Sequence, residues 1–454
     1  MPSATLPFSF TARPQPGWRG LFGPRVLLSD LCSFETVFLL FLYSNAFQLL
    51  LPKLPIDLTY VWLGLSALLA VAVVFREGIY LPGLTVAAAA LPWLVWLNLS
   101  TLWTVSHTQV WVYMKLVNFV NMFCLLAGAM VIAHKRERVL RFFKVMIFFS
   151  IIIALVGAQI YIVHGSFKFA GWVDAGRVYN NWGRAAANGG VVLTLLALRS
   201  RTFSLHQIVT GGLLALCVFF VLVSSSRSAL LCIATPCMFY LIVTFAPIGR
   251  KGLAMTRGAL LLPLGLVVIA GVLVVAIESG YRVDSVARMN KVVAQSDDPD
   301  MVTGANRFAY YAAAIDLILQ SPVVGHGARS FAPLYKQNEV VGTQPHNIFL
   351  EILSETGVVG LILFLFLLYV AWRPLPLQRL RSDPMALAVA MMFISRFTAV
   401  QFGADLSSQQ EIFVFIGLLA VRPLPEPDIG TARYGGQVPP APGYDVVPGS
   451  LQAR

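Results

Sequence analysis

Long apolar runs separated by short polar connectors set the plan of the chain. Twelve such segments can be read, at about 35–52, 57–75, 79–98, 109–133, 140–163, 184–199, 206–223, 228–247, 258–277, 347–372, 384–401 and 410–421. Several exceed the ~18 apolar residues that mark a membrane span, since a helix of about 20 residues crosses a bilayer core. The sixth and twelfth are short. The pattern predicts an all-α polytopic membrane protein with about twelve transmembrane helices. Residues 1–34 hold no compact apolar run with a small-residue cleavage site, so the first helix itself is expected to direct insertion. One connector breaks the rhythm. It runs over residues 278–346, about 69 residues, whereas the others have about 20 or fewer; long loops in compact proteins are usually functional. Within it, Arg307–Gln320 places Phe308, Tyr311, Ala312, Ile315 and Leu319 at helical spacing. That stretch is too short and too polar to span, and it predicts an amphipathic helix on the membrane surface or against the bundle. Ser296–Asp300 (SDDPD) reads as a solvated turn. The expected divisions are an N-terminal segment 1–34, a membrane body 35–421 containing the loop 278–346, and a disordered Pro- and Gly-rich tail 422–454.

Composition changes this picture little. The chain is 57% hydrophobic and 12% charged, with a mean hydropathy of +0.75, whereas soluble domains are about a quarter charged. A soluble enzyme, a disordered chain and a disulfide scaffold are excluded. Net charge is +12, which in a soluble protein would point to nucleic acid. Here topology accounts for it. With the N-terminus in the cytosol, nineteen Lys and Arg fall on inside segments and eleven on outside loops. Net charge is then +12 inside, +1 outside and −1 in or beside the spans. The positive-inside rule gives N-in, C-in, with no nucleic-acid partner. Cys32, Cys124, Cys217, Cys232 and Cys237 have no CxxC spacing, and they read as small hydrophobes rather than metal ligands or disulfides.

The polar residues a membrane protein would otherwise avoid gather on the outer side of this topology. Ser224-Ser225-Ser226-Arg227-Ser228 lies at the turn between segments seven and eight. Arg184 opens segment six, with Asn188 one turn on, and Arg307 opens the loop helix. His346-Asn347 enters segment ten, followed by Glu351 and Glu355, and Asp405 lies in the last outer loop. A guanidinium is permanently charged and donates in a planar fork, so converging arginines suit a phosphate or diphosphate. Arginines that snorkel toward headgroups are the plain alternative. His346 can take a proton near neutral pH and could deprotonate a hydroxyl nucleophile, or it could simply belong to a helix end. Glu351 and Glu355 read as structural, and His326 as a loop residue. SDDPD is the only acidic run, and metal binding is not expected there.

Three motifs together resemble a known signature. They are Gly325-His326-Gly327-Ala328-Arg329-Ser330-Phe331, then His346-Asn347-Ile348-Phe349-Leu350-Glu351-Ile352-Leu353, then Gly357-Val358-Val359-Gly360-Leu361. A Gly-x-Gly turn, a spacer, HNxFL and a glycine pair entering a membrane helix resemble the O-antigen ligase/polymerase superfamily. Arg307 before the Gly turn and the SSSRSALL stretch fit it, with Arg184 and Asn188 a weaker element. The resemblance is good over residues 180–362. It implies a GT-C-like membrane glycosyltransferase at the periplasmic face of a bacterial inner membrane. It also implies transfer of a glycan from undecaprenyl pyrophosphate to a hydroxyl, with neither metal nor other cofactor. By resemblance His346 takes the position of the functional histidine, and Arg227 and Arg307 those of functional arginines. Arg184 joins them on the diphosphate, with Asn188, Asn347 and Asp405 supporting. An O-antigen ligase acting on lipid A–core in lipopolysaccharide biosynthesis is the favoured reading. The moderate loop and the lack of a further soluble domain favour it over a protein O-oligosaccharyltransferase. An O-antigen or exopolysaccharide polymerase stays open. A lipid-linked glycan transporter is disfavoured, because the arginines sit at one face and the halves do not repeat.

Overall fold

The computed structural model describes residues 30–47, 57–106, 109–164, 175–199, 205–224, 226–245, 304–336, 343–402 and 410–423. Among these, secondary structure is helical throughout, with no strand. The helices are α1 (Phe34–Leu42), α2 (Ser44–Phe47), α3 (Leu58–Glu77), α4 (Leu81–Leu99), α5 (Gln109–Leu126), α6 (Arg136–His164), α7 (Ala175–Arg199), α8 (Leu205–Val223) and α9 (Arg227–Phe245). They continue with α10 (Gly304–Gln320), α11 (Phe331–Lys336), α12 (Ile348–Trp372), α13 (Leu377–Ser382), α14 (Pro384–Phe402) and α15 (Gln410–Leu418). Eleven of the twelve predicted segments are thus helical among the described residues, and the loop helix is α10. The ninth segment, the SDDPD turn, Asp405 and the tail beyond 423 lie outside the described residues.

Among the described residues six helices are long and apolar enough to cross a membrane, and the protein is an all-α polytopic membrane protein. Two segments differ from the sequence reading in an instructive way. The sixth begins at Ala175 rather than near 184. Its first turns are polar, but from Trp182 they face the protein core instead of lipid, which a hydropathy reading cannot anticipate. The first breaks at Tyr43, where α1 ends and α2 begins.

Burial separates the helices into centre and rim. The apolar window of α3 is 11% buried, so its leucines and valines meet lipid, whereas that of α14 is 78% buried. Helices α7, α9 and α14 pack against one another. At one end of α14, Asp383 receives the amide N–H of Met385 (3.0 Å). It also holds Arg136 of α6 through a two-pronged contact of 2.7 Å on each oxygen. Beside it Arg138 reaches Glu35 (2.8 Å) and Glu77 (2.8 Å), and Arg141 reaches Asp30 (3.1 Å). Cations that the sequence scatters over residues 135–144 therefore meet carboxylates from three other elements. A helix of 19 residues rises about 28 Å, so the far end of α14, at Phe402, lies across the bundle from this cluster.

Candidate functional site

At the far end, and reaching into the bundle, a second polar network forms on α7, α14 and α15. Arg396 of α14 is 2% exposed. Its Nη1 donates to Glu411 (2.9 Å), and its Nη2 donates to the carbonyl of Arg184 (2.8 Å) and to the side-chain oxygen of Asn188. The amide nitrogen of Asn188 donates in turn to Glu411 (3.0 Å) and to the Tyr43 hydroxyl (2.7 Å). Glu411 occupies the first turn of α15, where unpaired backbone N–H groups favour a carboxylate. The break after α1 is what brings Tyr43 to this network.

Arg184, buried with 5% exposure, points its Nε at the Ser228 hydroxyl of α9 (3.3 Å). Ser228 lies 3.3 Å from Ser226, which donates to Asn180 (2.8 Å). The serine-rich turn therefore docks on α7, and Arg227 heads α9 between two serines that touch this network. The Arg227 side chain and Ser225 are outside the described residues.

Arg307 reaches the same end, and His346 lies near it along α10. Nη2 of Arg307 donates to the carbonyl of Phe402, the last residue of α14 (3.1 Å). The His346 ring lies 5.9 Å from that of Tyr310, one turn past Arg307 on α10. Phe402 is six residues beyond Arg396, about 9 Å of helical rise. One stretch of α14 therefore carries contacts to both Arg184 and Arg307. His346 has φ +54°, a left-handed conformation that is uncommon outside glycine and costs of order 1–3 kcal/mol. Asn347 follows as the N-cap of α12, and its side chain accepts from the N–H groups of Phe349 (3.0 Å) and Leu350 (3.1 Å). Loss of such a cap costs about 1 kcal/mol. The cap fixes where α12 starts and so how His346 leaves it. The amide of Gln344 lies 3.4 Å from Nδ1 of the ring.

The glycine motifs hold these two helices together. Inside α12, Gly357 has φ +68° and breaks the helical hydrogen-bond ladder. The strand of loop after α10 repairs it. His326 and Gly327 donate to the carbonyls of Ser354 (3.0 Å) and Glu355 (2.8 Å), and Val358 donates to the carbonyl of Pro322 (2.9 Å). A side chain at Gly325 or Gly357 would run into the opposing backbone. Backbone groups freed within a membrane helix must find partners in protein, because lipid offers none. The ring of His326 contacts the Leu317 carbonyl (2.9 Å) and ties the strap back to α10. His326 is thus a structural residue, as its loop position implied. Arg329, also at positive φ (59°), lies over the Tyr113 ring at 4.6 Å.

Of the residues singled out in the sequence, Arg184 meets Ser228 of the serine turn, Asn188 meets Arg396, Glu411 and Tyr43, and His346 lies against Tyr310, one turn past Arg307 on α10. Arg396, Glu411 and Tyr43 were not singled out. The first two carried a signal: ionisable residues inside or at the mouth of apolar segments are costly there and usually have a role. Among the described residues no group of three or more His, Cys, Asp or Glu is placed to hold a metal ion.

Residues 212–365, about a third of the chain, match the family model described as O-Antigen ligase. That match supports a function of the ligase/polymerase type in general, a glycosyl transfer. The match takes in Arg227, Arg307, the Gly-x-Gly strap, His346 and the break at Gly357. Arg184, Asn188, Arg396 and Glu411 lie outside it. No curated protein matches the chain.

Proposed function

From that match we propose that the protein is an O-antigen ligase. It transfers a glycan from undecaprenyl pyrophosphate to a sugar hydroxyl of lipid A–core, at the periplasmic face of the inner membrane. The observation that carries this reading is the convergence at one end of the bundle. The Arg184 backbone, with the serine turn on its side chain, lies beside one part of α14, Arg307 lies at the last turn, and the His346 ring faces Tyr310, one turn past Arg307. Positive-inside counting supports this end as the outer one, since the ion-paired end holds the basic clusters at 135–141 and 379–381.

Arg184, Arg227 and Arg307 hold the diphosphate. As the bond from the anomeric carbon to the diphosphate oxygen breaks, negative charge grows on the leaving group, and fixed guanidiniums stabilise it where it appears. His346 takes the proton of the acceptor hydroxyl as its oxygen bonds to the anomeric carbon, a direct displacement that inverts the centre. The amide nitrogen of Gln344 lies 3.4 Å from Nδ1 of this ring and orients it. Asn347 supports by capping, and Asp405 remains a supporting candidate.

Reconstitution with purified lipid-linked glycan and rough lipopolysaccharide tests the assignment. Glycan appearing on the core establishes the ligase. Chain growth on the lipid carrier without added acceptor would replace it with a polymerase. Retention of the donor's anomeric configuration in the product, read by NMR, would overturn the single displacement. Arg227→Lys should impair transfer, because a point charge cannot reproduce the fork.

A further inference from the structure

The Arg396–Glu411 pair lies outside the family match and is one of the most costly features of the bundle. An arginine in a membrane helix is expensive. Replacing a buried ion pair by well-packed apolar side chains is often neutral or stabilising, so stability alone is a weak reason to keep one. What the pair does supply is geometry. Arg396 is 2% exposed, and its terminal nitrogens are directed at Glu411, Asn188 and the Arg184 carbonyl. Its Nε is buried without a hydrogen-bond partner. The guanidinium therefore presents no open face to a ligand. Asn188 is similarly committed, its oxygen to Arg396 and its nitrogen to Glu411 and Tyr43. The network joins α14, α15, α7 and the Tyr43 break to one point, the backbone of Arg184.

We propose that Arg396, paired with Glu411 and bridged by Asn188, is a positioning residue that holds the Arg184 backbone so that its guanidinium meets the donor diphosphate. The proposal rests on the diphosphate role given above to Arg184. A carbonyl held by a charged donor, on a helix also pinned one turn later through Asn188, fixes two points on α7. Arg184 lies at the first of them, with its Nε on Ser228. A displacement of about 1 Å at a catalytic cation is enough to cost about 100-fold in rate.

A double-mutant cycle separates acting through Arg184 from acting beside it. Transfer from lipid-linked glycan is measured as kcat and KM on purified, monodisperse protein in lipid nanodiscs. Arg396→Gln should lower kcat by about tenfold or more in the native background, and by about twofold or less in an Arg184→Ala background. The same loss in both backgrounds overturns the proposal while leaving the diphosphate role of Arg184 standing. Full activity of Arg184→Ala overturns that role and the proposal with it. If Arg396→Gln does not fold, Glu411→Gln takes its place in the same cycle, keeping volume and an acceptor oxygen but not the charge. The apolar replacement Arg396→Met with Glu411→Leu adds a readout that folding alone would not move. It should melt at or above the native temperature yet keep the kcat loss, and native kcat in that folded variant would overturn the proposal.

Discussion

The two ends of α14 treat their arginines differently. At the Asp383 end, Arg136, Arg138 and Arg141 of α6 face carboxylates of Asp383, Glu35, Glu77 and Asp30. At the Phe402 end, Arg307 donates to a backbone carbonyl. A carboxylate cancels the charge of its partner, so the first arrangement fastens helices together and leaves little field outside. A carbonyl or hydroxyl orients a guanidinium without cancelling it, so the second keeps a positive potential in place. A site meant for a diphosphate needs the second kind. Arg396 stands between the two. It is paired like a structural arginine but placed at the end proposed to be functional, which is the physical ground for giving it a positioning role.

This contrast can be broken at either end. The largest effect is expected from His346→Ala. The variant should fold and insert normally while transfer falls by about 100-fold or more, the scale of a lost general base; native turnover would end the base assignment. Next comes Asp383→Ala. It strands Arg136, which is 14% exposed at its side chain, and removes the contact to the Met385 N–H. Stability should drop by about 3 kcal/mol, read as a lower melting temperature, with kcat of the surviving folded fraction unchanged. A kcat loss in that folded fraction would erase the division between fastening and functional ends.

The smallest effect concerns pH at the fastening end. His134 stacks on Tyr80 at 5.2 Å. Burial, with help from Lys135, Arg422 and Arg138 and opposed by Glu77, holds its pKa below the ordinary 6.5. The unfolded chain therefore binds this proton more readily than the folded one, so stability is full above about pH 6.5 and declines as pH falls below it. His134→Phe should flatten that acid-side decline by a small margin in melting curves at pH 5 to 7, with transfer unaffected. A steeper decline in the variant would reverse the sign.

Much of the fold was legible because lipid enforces a simple rule. An apolar run long enough to span must be a helix, and eleven predicted segments are helices among the described residues. The amphipathic helix was legible from Phe308, Tyr311, Ile315 and Leu319, and α10 covers it. Part of the candidate site was also legible. Arg184, Arg307 and His346 stand out because polar residues are conspicuous in such a chain, and the Gly-x-Gly and HNxFL motifs gave them company. The network around Arg396 was not. Its members come from residues 43, 188, 396 and 411, and nothing in local spacing says that Asn188 bridges the pair rather than facing a ligand. Nor does Gly357 reveal from sequence that it opens the ladder to receive a strap from residues 322–327.

By itself, then, the sequence determined the class of structure, its helices and the chemical character of one end. Those follow from transfer energies and short-range periodicity, which are properties of contiguous residues. The tertiary structure alone decided which carboxylates the cations at 136–141 meet, and that Arg307 donates to a backbone carbonyl. It decided as well that Arg396 reaches the Arg184 backbone and that a loop completes a broken helix. Each of these is a contact between distant parts of the chain, and in a low-dielectric bundle the partner sets what a charge can do.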